Sequence, residues 1–300
     1  MNLSVMYRGP LASCNYACGY CPFAKRRDTR TQLDTDRRAL SRFVGWLEAQ
    51  HTHTWRVLFT PWGEALVRAW YRDALVRLTR LDHVQLAAAQ TNLSCPLTWL
   101  EDCQPERLSL WATFHASETS LGAFVRRVMR VYHAGVGISV GMVAVPRFLG
   151  VLAELRRALP AEIYVWVNAQ QPAERPYTQR EVAYLTSIDP LFTYTLTPHR
   201  TWGQPCHTGQ TVFTVDGQGN MRRCHFVAEV MGNIYDAEWE RALRPRVCPR
   251  TFCRCYLGFA HLASLGLDRF FGPGLLARRP ENSAMLAAGR RTARSNTCGA

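Results

Sequence analysis

The chain has 300 residues, 47% of them apolar, with 36 basic against 23 acidic residues for a formal charge of +13, and 11 cysteines. That length and apolar content suffice for one large α/β domain with a small appendage; no stretch is apolar enough for a membrane span and Met1-Asn-Leu-Ser4 lacks a secretion-signal pattern, so a soluble cytoplasmic protein with no membrane partner is expected. Clustered cysteines in a chain of this size, without a signal, point to metal rather than to a disulfide framework.

In chain order, residues 3–7 alternate and run into Arg8-Gly9-Pro10, a short strand feeding a loop. The loop holds Cys14-Asn-Tyr-Ala-Cys18-Gly-Tyr20-Cys21. Three soft thiolates so spaced can hold three corners of a cubane iron–sulfur cluster and leave the fourth iron open. A shuffled chain of this cysteine content shows the spacing roughly once or twice in a hundred, and structural zinc wants a fourth nearby Cys or His that is missing. Over residues 34–50 the apolar side chains Leu40, Phe43, Val44, Trp46 and Leu47 recur at helical spacing, with Asp34 or Thr35 as the cap. Strands over 55–60, 84–89, 107–114, 137–145 and 161–167 then alternate with helices over 65–81, 96–103, 117–133, 148–159 and 178–187. Six strands alternating with helices imply a parallel sheet with right-handed crossovers. A closed eight-unit barrel takes ~250 residues, more than the region before Pro190 supplies, so a partial (β/α)6 TIM-type barrel is expected over residues 1–190.

In parallel barrels the functional loops follow the C-terminal strand ends. The second strand is followed by Thr60-Pro-Trp62-Gly63-Glu64-Ala-Leu66 and the third by Thr91-Asn92-Leu93; the fourth ends in Thr113-Phe-His115, the fifth reads Gly137-Ile-Ser139-Val-Gly141-Met-Val-Ala144, and Asn168 ends the sixth. Singly, each has a plain account as a turn residue, a helix-terminus charge or a structural histidine. Together with the cysteine loop they resemble the radical S-adenosylmethionine (SAM) superfamily. Cys-x-x-x-Cys-x-x-Cys with aromatic Tyr20 before the third Cys is similar to its signature loop. Residues 60–66 resemble its Gly-Gly-Glu-Pro-Leu turn, with Trp62 replacing the first Gly, and Thr91-Asn92-Leu93 is similar to the Thr-Asn-Gly turn of its peptide-modifying members. Residues 137–144 resemble its Gly-x-Ile-x-Gly-x-x-Glu strand, from which Ser139 and Ala144 depart. The resemblance covers about two thirds of the chain. It implies that Cys14, Cys18 and Cys21 are catalytic and hold a [4Fe-4S] cluster whose open iron chelates SAM, and that Tyr20, Gly63, Glu64, Asn92, Gly137 and Gly141 bind the cofactor. It also implies reductive cleavage of SAM to a 5′-deoxyadenosyl radical that abstracts hydrogen from a substrate, fed by an electron donor such as flavodoxin or ferredoxin.

Beyond Pro190 the periodicity breaks and cysteines return as Cys206, Cys224, Cys248, Cys253 and Cys255. Residues 211–215, Asp216-Gly217 and 221–224 read as strand, tight turn and strand, a hairpin that brings Cys206 and Cys224 together. The spacing Cys206-x12-Gly219-x4-Cys224 resembles the opening of the auxiliary-cluster domain, SPASM or its shorter TWITCH form, although the later cysteines depart from the longer pattern. That likeness implies a second [4Fe-4S] cluster within residues 191–272, held by Cys206, Cys224 and two of the last three, with Cys253 and Cys255 preferred over Cys248. Zinc held by four thiolates stays open, because spacing alone does not separate it from iron–sulfur. Cys95, Cys103 and Cys298 stand apart as ordinary thiols, and residues 273–300 carry so little pattern that helix remnants and disorder are expected.

The order of barrel then auxiliary cluster resembles members that oxidise or crosslink peptides, so a peptide or protein substrate is the first expectation. Radical modification of a small molecule or of RNA, and a non-catalytic zinc-stapled binding protein, are the alternatives. The positive charge adds little to the RNA reading: Lys25 is the only lysine, and the arginines are spread over the helices rather than gathered in a patch. Nucleic acid is therefore not the expected partner.

Overall fold

The computed structural model describes residues 1–23 and 26–280. Strands β1 (Asn2–Arg8), β2 (Thr54–Phe59), β3 (Val84–Thr91), β4 (Leu108–Thr113), β5 (Gly137–Val143) and β6 (Val165–Asn168) pair in parallel, in sequence order. Helices α1 (Arg30–Glu48), α2 (Ala69–Thr79), α3 (Leu121–His133), α4 (Leu149–Ala158) and α5 (Gln179–Ile188) alternate with them. The architecture is a partial TIM-type barrel of mixed α/β class, as the strand–helix alternation requires. Among the described residues no helix is long and apolar enough to cross a membrane.

The two faces of the sheet follow from side-chain alternation. Leu3, Val5 and Tyr7 of β1, Val57 and Phe59 of β2 and Val165 and Val167 of β6 face the helices and join their apolar stripes in one core. The intervening residues Met6, Leu58, Ala88, Trp111, Tyr164 and Trp166 face inward and form a second core. What fills the inner space is the segment 256–277: Tyr256, Phe259, Leu262, Phe271, Leu276 and Ala277 pack there, and Ser139 of β5 donates to the Ala277 carbonyl at 2.8 Å.

Three local expectations change. Helix α1 opens at Thr29 rather than at Asp34 or Thr35, through a capping box in which Thr29 and Gln32 satisfy each other's backbone N–H groups. Helix α2 starts four residues later than the pattern suggests, because the turn before it is bound into the site described below. Residues 96–103 form only the 3-10 turn Thr98–Asp102.

Past the short strand β7 (His199–Arg200), the hairpin forms as β8 (Val212–Asp216) and β9 (Asn220–Arg222), and β10 (Val230–Asn233) extends it. Asp216 accepts N–H bonds from Gln218 and Asn220 at 3.0 Å and so closes the turn. The hairpin does not stand apart, however: β8 pairs in parallel with β1, so one nine-stranded sheet runs β10-β9-β8-β1-β2-β3-β4-β5-β6. Strand β11 (Phe252–Cys253) pairs with β7, and the short helices α6 (Tyr256–Phe259) and α7 (Leu267–Phe271) carry the chain into the barrel. Of the stretch expected to hold helix remnants and disorder, Gly272–Ala277 is a 3-10 helix whose Leu276 and Ala277 are buried; residues 281–300, Cys298 among them, lie outside the described residues.

Candidate functional site

Each barrel strand ends at the same rim, and the cysteine loop lies across it. Two carboxylates fix the start of the loop. Asp36 of α1 accepts from the Leu11 N–H at 3.1 Å while holding Trp70 Nε1 and the Tyr71 hydroxyl, and Asp28 accepts from the Ala12 and Ser13 N–H groups at 2.9 and 2.8 Å. Gly63 lies against the same loop: a Cβ there would meet the Ser13 carbonyl oxygen at 1.9 Å, so glycine is required for the turn after β2 to pack under the cysteines. Farther along, Asn92 after β3 donates to Asn15 at 3.0 Å, and Asn15 donates to Ser94 at 3.0 Å. Beyond β4, Glu118 accepts from the Ala17 N–H at 3.3 Å. His115 Nδ1 lies 3.2 Å from Cys18 Sγ and 2.9 Å from the Tyr20 hydroxyl.

Inside this ring is a cavity of about 490 Å3, within the ~300–1,000 Å3 of small-molecule sites. Its walls include Cys14, Cys18, Cys21, Tyr20, Gly63, Glu64 and Asn92, together with Trp111, His115, Trp166 and Asn168. Seven residues picked out by sequence for the thiol trio and its cofactor thus share one space. Gly137 and Gly141 do not line it. The missing Cβ of Gly141 is accounted for by Trp166, whose carbonyl oxygen a methyl would meet at 2.0 Å, and that of Gly137 by Arg279 and Ser109 at 2.9 Å.

Glu64 is the buried acid of the site. Its carboxylate accepts from Thr91 Oγ1 at 2.7 Å, the Asn92 N–H at 2.6 Å and the Leu66 N–H at 3.1 Å. Burial raises its pKa to about 7 against the pull of those three donors. Rather than capping α2, it ties the turn after β2 to the turn after β3, which is why α2 begins late. Burial also raises Cys14 and lifts Cys18 to about 11, with Glu118 adding to the effect, and lowers His115 to about 4. Burial thus disfavours the thiolates of Cys14 and Cys18 and the charged imidazole, and metal binding would have to displace thiol protons.

The second cysteine group also converges. Burial, then the thiols of Cys255, Cys224 and Cys206, push Cys253 up to about 12, and Cys224 is raised by burial, with Cys206 and Cys248 adding to the effect. Gly258 is needed beside them, since a Cβ would meet Cys253 Sγ at 2.5 Å. Cys255 lies beside Cys253 and also near Arg8 and Arg278. Among the described residues no three His, Cys, Asp or Glu side chains converge to hold a single metal ion. Cys95 and Cys103 are buried in the outer core.

Sequence reasoning did not find Asp28, Asp36, Trp111, Trp166, Arg8 or Arg278. A loop carboxylate and inward-facing tryptophans carry no local pattern; only the alternation within β4 and β6 hints that Trp111 and Trp166 face the barrel interior.

No family model matches the chain, and no curated protein is similar to it. Solved structures are. The chain resembles anSMEcpe with bound AdoMet and Kp18Cys peptide, at a TM-score of 0.58 and 12% identity over 97% of this chain and 100% of that one. Native anSMEcpe with bound AdoMet gives 0.57 and 12% identity over 97% of each chain. SuiB of Streptococcus suis bound to its precursor peptide SuiA gives 0.52 and 12% identity, over 80% of this chain and 66% of that one. Identities this low make the likeness one of fold.

Proposed function

We propose that this chain is a radical SAM enzyme in which Cys14, Cys18 and Cys21 hold a [4Fe-4S] cluster at the barrel mouth. The observation that carries the reading is that these three thiols share one cavity with the Gly63-Glu64 turn and Asn92. The donor set suits such a group: three soft sulfurs on one loop that line one cavity. When bound, the cluster supplies the electron that cleaves SAM and so generates the hydrogen-abstracting radical.

The protein's part is to bind, orient and shield. Glu64 has its carboxylate committed to Thr91, Asn92 and Leu66, so it is a positioning residue, and the main chain of its turn is what remains to meet an amino group. His115 sets the direction of the Tyr20 hydroxyl and Cys18. Trp111 and Trp166 close the cavity from below and keep water from a reactive intermediate. For the second group, Cys206, Cys224 and two of Cys248, Cys253 and Cys255 form the ligand set of an auxiliary cluster, with Cys253 and Cys255 preferred. A peptide or protein is the substrate we favour, since the neighbours anSMEcpe and SuiB are seen with peptides.

Anaerobic reconstitution followed by iron, sulfide and zinc analysis tests the reading, together with incubation with SAM and dithionite scored for 5′-deoxyadenosine. Iron and sulfide with 5′-deoxyadenosine formation are expected, and Cys18→Ala should abolish the product while the far-UV circular dichroism is kept. Zinc without iron, or a loaded protein that never cleaves SAM, rejects it.

A further inference from the structure

A buried N–H that has given up water without gaining an acceptor destabilises the fold, so orphan donors in a cavity wall point to an acceptor that arrives with a ligand. Along β4 and β6 alternate side chains share a face, which turns Trp111 with Thr113, and Trp166 with Asn168, toward the barrel interior. All four line the cavity, as does Gln90 of β3, which stands beside Trp111 in the parallel register. Trp111 is 3% exposed and Trp166 2%, and neither indole N–H has an acceptor among the described residues.

Two amides add donors. Arg278 donates to Asn168 Oδ1 at 2.7 Å. A guanidinium has no lone pair to offer, so this contact identifies the oxygen of the amide and turns its NH2 the other way. Arg278 is itself fixed, by Asp189 at 3.5 Å and by the Tyr256 ring 4.5 Å away. At Gln90 the oxygen accepts from the Thr60 hydroxyl at 2.5 Å. Both amides are half-buried, and neither NH2 has an acceptor among the described residues. Wall oxygens nearer the cysteine loop are committed, those of Glu64 to three donors, Asn92 Oδ1 to Ser94 and Asn15 Oδ1 to Asn92.

Charge and depth narrow the occupant. The arginines among the walls, Arg26 and Arg27, are exposed on the loop that follows the cysteines, and Arg278 already has its ion pair. A carboxylate set on these neutral donors would be buried without a free counter-charge, whereas a carbonyl oxygen needs none. Trp111 and Trp166 stand two residues before the ends of β4 and β6, a layer beneath the rim where SAM would meet the cysteine loop and the Gly63-Glu64 turn.

We propose that Trp111, Trp166, Asn168 and Gln90 form a site for a neutral carbonyl group of the substrate, an amide carbonyl in the peptide we favour. That the carbonyl belongs to a substrate rests on the radical SAM reading; the site itself rests on the orphan donors.

The iron–sulfur-loaded full chain, 15N-labelled at the indole of its nine tryptophans, is titrated without reductant, with and without SAM, at constant ionic strength. The probes are the isosteres acetamide, acetate and acetamidinium. Trp111→Phe and Trp166→Phe assign the two indole N–H resonances, and the other tryptophans are the internal reference. Acetamide should shift both resonances saturably, acetate should bind about tenfold more weakly or worse, and acetamidinium, which has no lone pair, should not bind. Asn168→Asp keeps an oxygen for Arg278 and exchanges the donor for an acceptor, so it should weaken acetamide about tenfold or more and admit acetamidinium. Trp166→Phe, read at the Trp111 resonance, should also weaken acetamide and decides alone if Asn168→Asp does not fold. No saturable shift, acetate binding tighter than acetamide, or unchanged acetamide affinity in the variants overturns the proposal. So do shifts that SAM abolishes, which would assign the donors to the cofactor's own space. Formation of 5′-deoxyadenosine with dithionite keeps the two readings apart. Acetamide binding in a protein that never cleaves SAM overturns the enzyme reading alone; SAM cleavage without acetamide binding overturns the carbonyl site alone.

Discussion

At the scale of single residues, two glycines and one carboxylate shape the barrel and its site. Gly63 and Gly141 both lack room for a methyl, the first against the Ser13 backbone and the second against Trp166, whereas a Cβ on Gly45 of α1 meets nothing within 4 Å. Gly141→Ala should cost about 1–3 kcal/mol or more in denaturant unfolding, the price of overpacking, and Gly45→Ala should stabilise by about 0.5–1 kcal/mol through helix propensity. Gly63→Ala should lower iron incorporation at the cysteine loop more than it lowers stability, because the loop itself must move. Glu64 gives a pH signature. Its folded pKa of about 7 exceeds its ordinary 4.5, so the folded state holds the proton more tightly. The associated stability is present below about pH 4.5 and lost as pH rises through 7, on the order of 3 kcal/mol in total. The stability advantage of wild type over Glu64→Gln should therefore shrink between pH 4.5 and 8; an advantage that grows over that range would mean the carboxylate is held ionised by its three donors.

At the scale of elements, what the loop needs is supplied from helix α1. Asp36 sits on the buried face of that helix and satisfies a loop N–H, an indole N–H and a phenol at once. Asp36→Ala leaves those donors buried without an acceptor and should cost about 2–4 kcal/mol. Asp36→Asn keeps the Oδ1 acceptor for Leu11 and Tyr71 and loses the Trp70 bond, so it should cost less than half as much by thermal or urea unfolding. Equal losses from both variants would show that the side chain serves packing rather than hydrogen bonding. The period-2 and period-3.6 patterns made the strands and most helices legible, because Leu40, Phe43, Val44 and Leu47 or Leu3, Val5 and Tyr7 report burial directly. Helix starts were less so. Thr29-x-x-Gln32 is a readable capping box, yet it lies ahead of the first apolar repeat, and the late start of α2 depends on Glu64 reaching residues of another turn. The cysteine loop was legible because its chemistry is local; Asp28 and Asp36 were not, since their partners lie 15 to 35 residues away.

At the scale of the molecule, two long-range pairings escape any local pattern: β8 against β1, and the segment 256–278 inside the barrel. The hairpin signal around Asp216-Gly217 fixes only β8 against β9, and the aromatic and aliphatic residues of the last helices carry no local sign of what they cover. Both pairings bind the cysteine-rich portion to the barrel. Phe271 is fully buried against Tyr256 and against Tyr164, which directly precedes β6, with ring centroids 5.7 Å apart in each case, and Leu276 is 2% exposed in the same core. Phe271→Ala removes a ring from the inner core and leaves a cavity, which should cost about 3–5 kcal/mol, and Leu276→Ala about 2–5 kcal/mol. Because one sheet runs unbroken from β10 to β6 over that core, the loss should not stay at the C-terminus. Hydrogen exchange followed by mass spectrometry should show amides of β1, β5, β6 and β8 losing protection together in Phe271→Ala. Protection lost in β8–β10 while β1–β6 keep theirs would instead make the cysteine-rich portion a separately folding unit, and the segment 256–278 an appendage to the barrel rather than its stopper.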